Sequence, residues 1–201
     1  MGGLCPPAKN RGGCGAAPLG HGKSLPPVFQ DRPHARPHLV ELRGFDVQER
    51  LAIGGMAELF LARQTSDERL VVIKQLLPGV DEVHAALFER ERHCLSLIKS
   101  PHVVRLVGEA AQCMVLEYIE GTDLSRLLSF HRKRGRQLVP EIVLTMLQGL
   151  CEGLVAIHGA SNEAGEALQL VHRDVNPSNV MVSENGRVVL IDLGIVQMRL
   201  E

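Results

Sequence analysis

Asn185-Gly186 stands between two apolar runs, Val180-Met181-Val182 and Val188-Val189-Leu190-Ile191. No other feature constrains the fold of this chain so tightly. Asn-Gly is a strong signal for a two-residue hairpin turn, because both central positions of a type I′ turn need positive φ. A hairpin closed there sets Glu184 against Arg187, Val182 against Val189, Val180 against Ile191 and Asn179 against Asp192. Opposed residues of an antiparallel pair lie about 4.5–5.5 Å apart at Cα. An amide and a carboxylate therefore converge at the open end. Asp174 lies five residues before Asn179, in a loop that Pro177 holds out of the helical region. Two carboxylates and an amide suit a hard cation such as Mg²⁺, which takes oxygen ligands and often accompanies a phosphate. An ordinary hairpin with polar ends fits the same residues, since Asn and Asp commonly end strands.

The same stretch reads His172-Arg173-Asp174, then Asn179, then Asp192-Leu193-Gly194. It resembles the catalytic loop H-R-D-x-x-x-x-N and the D-F-G motif of protein kinases, with Leu193 in the phenylalanine position. With GGMAELFLA upstream, the chain is most similar to bacterial serine/threonine kinases of the eukaryotic-like class. The resemblance implies an α+β, two-lobe fold. A five-stranded antiparallel small lobe with one helix would span about 44–118. An incomplete, mainly helical large lobe would span about 119–201.

Order is expected from Phe45 onward. Strands are predicted over Asp46–Ile53, Glu58–Gln64 and Leu70–Leu76, the first two joined by Gly54-Gly55-Met56-Ala57. Adjacent glycines let backbone N–H groups approach a phosphate; a plain hairpin turn is the alternative. By period-two alternation Leu70, Val72 and Lys74 share a face. A lysine in an apolar run needs an anion or a route to water. Glu82–Lys99 reads as a helix capped by Asp81, with Val83, Leu87, Cys94, Leu95 and Ile98 on one face and Glu91 inside that arc. Lys74 is the obvious partner for Glu91; a surface arginine is the alternative.

The resemblance assigns roles to these residues. Leu51, Gly54 and Gly55 would lie over ATP, although Ala52 and Ala57 replace the outer glycines of the phosphate loop. Lys74, fixed by Glu91, would hold the α- and β-phosphates under a roof tightened by Val72. Leu116 would guard the pocket, and the backbones of Glu117 and Ile119 would meet adenine. Asp174 would be the catalytic base, Asn179 and Asp192 the Mg²⁺ ligands, and His172 structural. Arg173 resembles kinases controlled through an activation loop and differs from the H-G-D of aminoglycoside-type kinases. One departure bears on activity: Asn176 stands where serine/threonine kinases usually carry a lysine that touches the γ-phosphate. The implied activity is transfer of the γ-phosphate of Mg-ATP to protein hydroxyls. A pseudokinase or nucleotide-binding interaction module stands as the alternative.

Between these motifs, Val103–Val107 and Cys113–Glu117 are predicted to pair as strands. Gly121-Thr122-Asp123 is predicted to open a short helix reaching Phe130. The basic run His131–Arg136 reads as a solvated loop rather than a site for an acidic ligand. After Pro140, Val143, Leu147, Leu150, Leu154 and Ile157 make the stripe of a long buried helix. Ser161–Ala167 reads as a polar, flexible insertion.

Composition limits the remaining classes. A net charge of −1 gives no electrostatic argument for nucleic acid or membrane. No apolar run reaches the length of a membrane span. Five cysteines without metal spacing read as free thiols in a reducing, cytoplasmic setting. Residues 1–43 hold seven of the eleven prolines and six Lys/Arg against two acids, which predicts a disordered basic tail. Glu201 follows Gly194 by only seven residues. The apolar Ile195, Val196, Met198 and Leu200 are therefore expected to need a partner or a further segment to cover them.

Overall fold

The computed structural model describes residues 43–110 and 112–193. The expected basic tail, Gly194 and the apolar residues Ile195, Val196, Met198 and Leu200 lie outside the described residues.

Five antiparallel strands form the first sheet: β1 (Phe45–Ile53), β2 (Ala57–Gln64), β3 (Leu70–Leu76), β4 (Leu106–Ala110) and β5 (Cys113–Glu117), in the order β1-β2-β3-β5-β4. Alternation sorts its two faces. Phe60, Ala62, Val71, Ile73, Cys113 and Val115 pack on one side. Leu76, Met114 and Leu116 face the helix α1 (Glu82–Leu97) on the other. Asp81 caps α1 as expected, accepting from the His84 N–H at 2.9 Å. The buried face of α1 is Phe88, Glu91, Cys94 and Leu95; Val83, placed on it from periodicity, is exposed.

β4 starts at Leu106, not at Val103. The residues before it are taken by a different partner. Val103 and Val104 are buried beside Leu190, and the Val104 N–H donates to the Leu190 carbonyl at 2.8 Å. This loop wedges between the hairpin β7 (Val180–Ser183) and β8 (Val188–Leu190) and the helix α3 (Pro140–His158). His102 joins all three: its Nδ1 lies 2.8 Å from the Val188 carbonyl and its Nε2 lies 2.9 Å from Glu152 of α3.

The predicted stripe of α3 holds at Ile157, which is buried, and at Leu150 and Leu154, which pack partly buried against the core; the wedge adds glycines to that face. The buried residues of α3 are Gly149, Gly153 and Ile157, while Leu147 is exposed. A Cβ on Gly153 would stand 2.7 Å from the His102 carbonyl; the glycines admit the loop. By length and composition α3 is also apolar enough to cross a membrane, contrary to the expectation from continuous runs. Gln148 and Glu152 interrupt the run without lowering its average much. One face of this helix is committed to β8.

Gly121–Asp123 is not the start of a helix but a short strand, β6, pairing with β7. The helix α2 begins after it and runs Leu124–Lys133, with Asp123 as its cap at 2.9 Å from the Arg126 N–H. The basic run is thus half helical, and Arg134 stacks over the Phe130 ring at 3.6 Å. Ser161–Ala167 forms a small turn whose ends are joined by an isolated bridge. Cys94, Cys113 and Cys151 are free thiols.

Gly121 is in tight contact with its neighbour: a Cβ there would fall 2.2 Å from the Val182 carbonyl oxygen and 2.6 Å from Ser183 Cα. Backbone cannot yield as a side chain does. Gly121→Ala should therefore destabilise the fold by about 1–3 kcal/mol, read as a lower urea midpoint. Gly108→Ala, whose added carbon meets nothing closer than 3.6 Å, serves as the control. Equal midpoints for the two variants would contradict the account.

Candidate active site

The β3 alternation puts Lys74 on the α1 side of the sheet, opposite Leu59 and Met114. There it meets Glu91 from the buried face of α1. Lys74 Nζ lies 2.7 Å from both Glu91 carboxylate oxygens and 3.3 Å from Asp192 Oδ1. Lys74 is 8% exposed and Glu91 3%, so both charges are desolvated and each needs the other. Burial lowers the Lys74 pKa, but Glu91 and Asp192 more than restore it, and the net shift is upward. Burial raises the Glu91 carboxyl; Lys74 pulls it down, Asp192 pushes it up, and it ends above the ordinary value. Both directions follow from one cation shared by two carboxylates in a dry site. The Asp192 side chain is 39% exposed, so this edge of the cluster opens to solvent.

The second cluster is built by the loop before β7. Asp174 N–H donates to the His172 carbonyl at 2.9 Å, and Arg173 between them has φ +61°. An i→i+2 bond around a positive φ is a γ-turn, a strained conformation for a non-glycine residue. It leaves the Asp174 carboxylate exposed. Two side-chain amides hold that carboxylate: Asn176 Nδ2 donates to Oδ1 at 2.9 Å and Asn179 Nδ2 donates to Oδ2 at 2.9 Å. Asn176 is extended as a pre-proline residue should be. Pro177 then starts a single 3-10 turn, Pro177–Asn179, rather than keeping the loop wholly non-helical.

The hairpin register differs from the one predicted. Val180 faces Leu190, Met181 faces Val189 and Val182 faces Val188. The loop has three residues, not two: the Gly186 N–H donates to the Ser183 carbonyl and the Ser183 N–H to the Arg187 carbonyl, both at 2.9 Å. Among the loop residues only Gly186 has positive φ, +83°. Asn185 instead uses its side chain, accepting from the Arg187 N–H at 3.2 Å. The shift by one residue makes Ile191 the neighbour of Asn179, its N–H donating to the Asn179 carbonyl at 3.1 Å. Asp192 lies one step beyond that pair and turns to Lys74, while Asn179 turns to Asp174.

The other expected contacts are placed as follows. Gly54 and Gly55 form the exposed loop between β1 and β2, with the Gly54 N–H closed onto the Ala57 carbonyl at 2.8 Å. Leu51 lies at the register irregularity of β1 beside Ala52. Leu116 is buried opposite Val72, and Ile119 is buried just past β5. The Glu117 side chain points elsewhere, accepting from Arg187 at 3.1 Å and from the Arg105 N–H at 3.1 Å. It ties the end of β5 to the hairpin, a role the sequence reading missed.

Among the described residues no three His, Cys, Asp or Glu side chains gather as a metal cage. The chemistry of the donors nonetheless fits Mg²⁺, which commonly takes one or two protein carboxylates and completes its shell with phosphate and water oxygens. Asp192 and Asn179 would hold it.

His172 is buried, and its Nε2 has no hydrogen-bond partner among the described residues. Burial lowers its pKa below the ordinary 6.5, with Asp192 and Asp174 opposing in part. Below pH 6.5 the unfolded chain therefore binds the proton more readily than the folded one. The stability is present above that pH and is lost as pH falls through the folded pKa. The unfolding free energy should fall between pH 7 and 5.5, with a slope of at most about 1.4 kcal/mol per pH unit from this group. His172→Phe should flatten that slope in urea titrations; an unchanged slope would contradict the assignment.

The family model for the protein kinase domain matches residues 45–199. The chain is 34% identical over 157 residues to the tyrosine-protein kinase MasK of Myxococcus xanthus, covering 74% of this chain and 24% of that protein. It is 36% identical to the serine/threonine-protein kinase pkn2 of Myxococcus xanthus, covering 77% of this chain and 18% of that one. It is 34% identical to the probable serine/threonine-protein kinase SCO3848 of Streptomyces coelicolor, covering 73% and 22%. The chain thus spans about a quarter or less of the length of these relatives.

Proposed function

The chain belongs to the protein kinase family, and we propose that it transfers the γ-phosphate of Mg-ATP to serine or threonine hydroxyls of a protein. The observation that carries this reading is the pairing of two clusters. One is a buried cation held by Glu91 and Asp192; the other is an exposed carboxylate held between two amides.

In this reading the Lys74 ammonium binds the α- and β-phosphates and Glu91 keeps it in place. Gly54 and Gly55 cover the phosphates; Leu51 and the backbones of Glu117 and Ile119 hold the adenine end. Asn179 and Asp192 hold Mg²⁺, which when bound neutralises charge on the phosphates. Asp174 orients the acceptor hydroxyl and takes its proton. The hydroxyl oxygen forms a bond to the γ-phosphorus as the bond to the β,γ-bridging oxygen breaks, and ADP leaves with that electron pair. Positioning and charge stabilisation supply most of the acceleration in such a transfer. The two lobes of the domain divide near Tyr118, with the nucleotide between them. Reliance on ATP goes with a cytoplasmic position for this domain.

One observation favours a nucleotide-binding module that does not transfer: the segment Asp174–Asn179 carries no cation. Mg²⁺-dependent binding of a fluorescent ATP analogue, followed by transfer of labelled γ-phosphate to myelin basic protein, separates the readings. The proposal expects both binding and transfer. Binding without transfer by the full gene product would establish the module instead.

A further inference from the structure

The transfer site holds one side chain whose contacts exceed its expected role. Asn176 Nδ2 donates to Asp174 Oδ1 at 2.9 Å. Its Oδ1 accepts from the Ser178 N–H at 2.8 Å and from the Asn179 N–H at 3.2 Å. The donor end of one amide thus holds the candidate base, and the acceptor end caps the turn that carries Asn179. Asn179 closes the circuit by donating to Asp174 Oδ2 at 2.9 Å and to the Asp174 carbonyl at 3.0 Å.

We propose that Asn176 is a positioning residue for phosphoryl transfer, setting the rotamer of Asp174 and the turn of Asn179 through one planar group. The proposal rests on the kinase reading above. An exposed carboxylate turns freely about two side-chain bonds unless each oxygen has its own donor. Here both oxygens have one, from side chains that share a capped turn. Only an amide of this length offers a donor and an acceptor together at this position. Lysine has three donors and no acceptor; serine and aspartate accept but do not reach Asp174 with an N–H. Asn176 is therefore not an empty lysine position. A lysine there could meet a phosphate, but it would uncap the turn and pull the Asp174 carboxylate toward its own charge.

A simple helix-type cap would predict that any good capping residue serves equally, so the variants must separate the two ends of the amide. Asn176→Ser keeps an acceptor for the turn and removes the donor to Asp174. It should lower kcat about 10–100-fold, the usual effect of losing a hydrogen bond to a charged group. KM for ATP should stay within about twofold, because the nucleotide contacts lie elsewhere. Asn176→Asp keeps the cap but sets a like charge beside Asp174, and should fall below the serine variant. Asn176→Lys should also fall below wild type, with faster hydrogen exchange at the Ser178 amide, whereas the Asn179 amide keeps its 3.0 Å bond to the Asn176 carbonyl. The assay uses the full gene product, Mg-ATP and myelin basic protein, with urea midpoints to confirm that each variant is folded. Wild-type kcat in Asn176→Ser, or a kcat above wild type in Asn176→Lys, would overturn the proposal while leaving the kinase reading intact. An inactive wild-type protein would overturn the kinase reading, and the positioning role with it.

Discussion

Replacing Asp174 by asparagine should lower kcat for phosphoryl transfer about 10³-fold, within the range for loss of a general base. The affinity for Mg-ATP should change little. Both follow from the placement of Asp174. Its carboxylate is exposed on a γ-turn and, among the described residues, is held by two neutral amides. Among the described residues no ion pair to Asp174 is broken by the change, so the fold has little reason to respond. The substituted amide would present an N–H to one of the two amide donors that now meet an oxygen. The ring of hydrogen bonds would open at one end, and the group that accepts the hydroxyl proton would be gone. The measurement is kcat against an acceptor protein beside the dissociation constant for a fluorescent ATP analogue. A kcat within tenfold of wild type would mean that another group takes the proton.

Lys74→Met should act in the opposite manner, on stability and on nucleotide binding together. Removing the ammonium leaves Glu91 buried with no counter-charge and Asp192 as a second carboxylate nearby. Breaking a buried pair from one side costs about 3–5 kcal/mol. Part of that cost is avoided if Glu91 takes up a proton, and its already raised pKa makes that easier. The variant should therefore be less destabilised at pH 5.5 than at pH 8. The double variant Lys74→Met/Glu91→Leu should recover much of the stability, because an apolar pair of similar volume fits a dry site. It should recover none of the ATP binding. Urea midpoints of wild type, Lys74→Met, Glu91→Leu and the double variant at the two pH values give the coupling directly. A single variant as stable as wild type at pH 8 would show that Lys74 and Glu91 do not depend on each other.

The Lys74–Glu91 pair was legible in the sequence because two periodicities point at one spot. Period-two alternation puts Lys74 on a sheet face, and the helical arc puts Glu91 on a buried stripe. Four of the five strands were legible to within a residue, and β4 was placed three residues too early. The hairpin was legible as a hairpin but not in register. Asn-Gly fits a two-residue turn, yet the Asn185 side chain accepts the Arg187 N–H and lengthens the loop by one residue. A slip of one residue moves every neighbour, and the pair Asn179–Asp192 became Asn179–Ile191. The contacts of Asn176 were not anticipated, because it was compared only with the lysine usual at that position. The dipeptide Asn176-Pro177 carried the signal, an N-cap residue directly before a proline that opens a turn. The buried face of α3 was legible only in part, because glycines, not leucines, mark the place where the His102 loop approaches. Hydrophobic patterning records what a helix buries only when side chains make the contact.

Asp174, not merely a bound nucleotide, is what makes this domain a phosphotransferase in the proposed reading. The most direct test incubates the full gene product with γ-labelled Mg-ATP and an acceptor protein, beside the Asp174→Asn variant, and identifies the labelled residues after hydrolysis. The account predicts phosphoserine or phosphothreonine from wild type, loss of the label on chelation of Mg²⁺, and almost none from the variant. Equal labelling by the variant, or none by a wild-type protein that binds Mg-ATP, would contradict it.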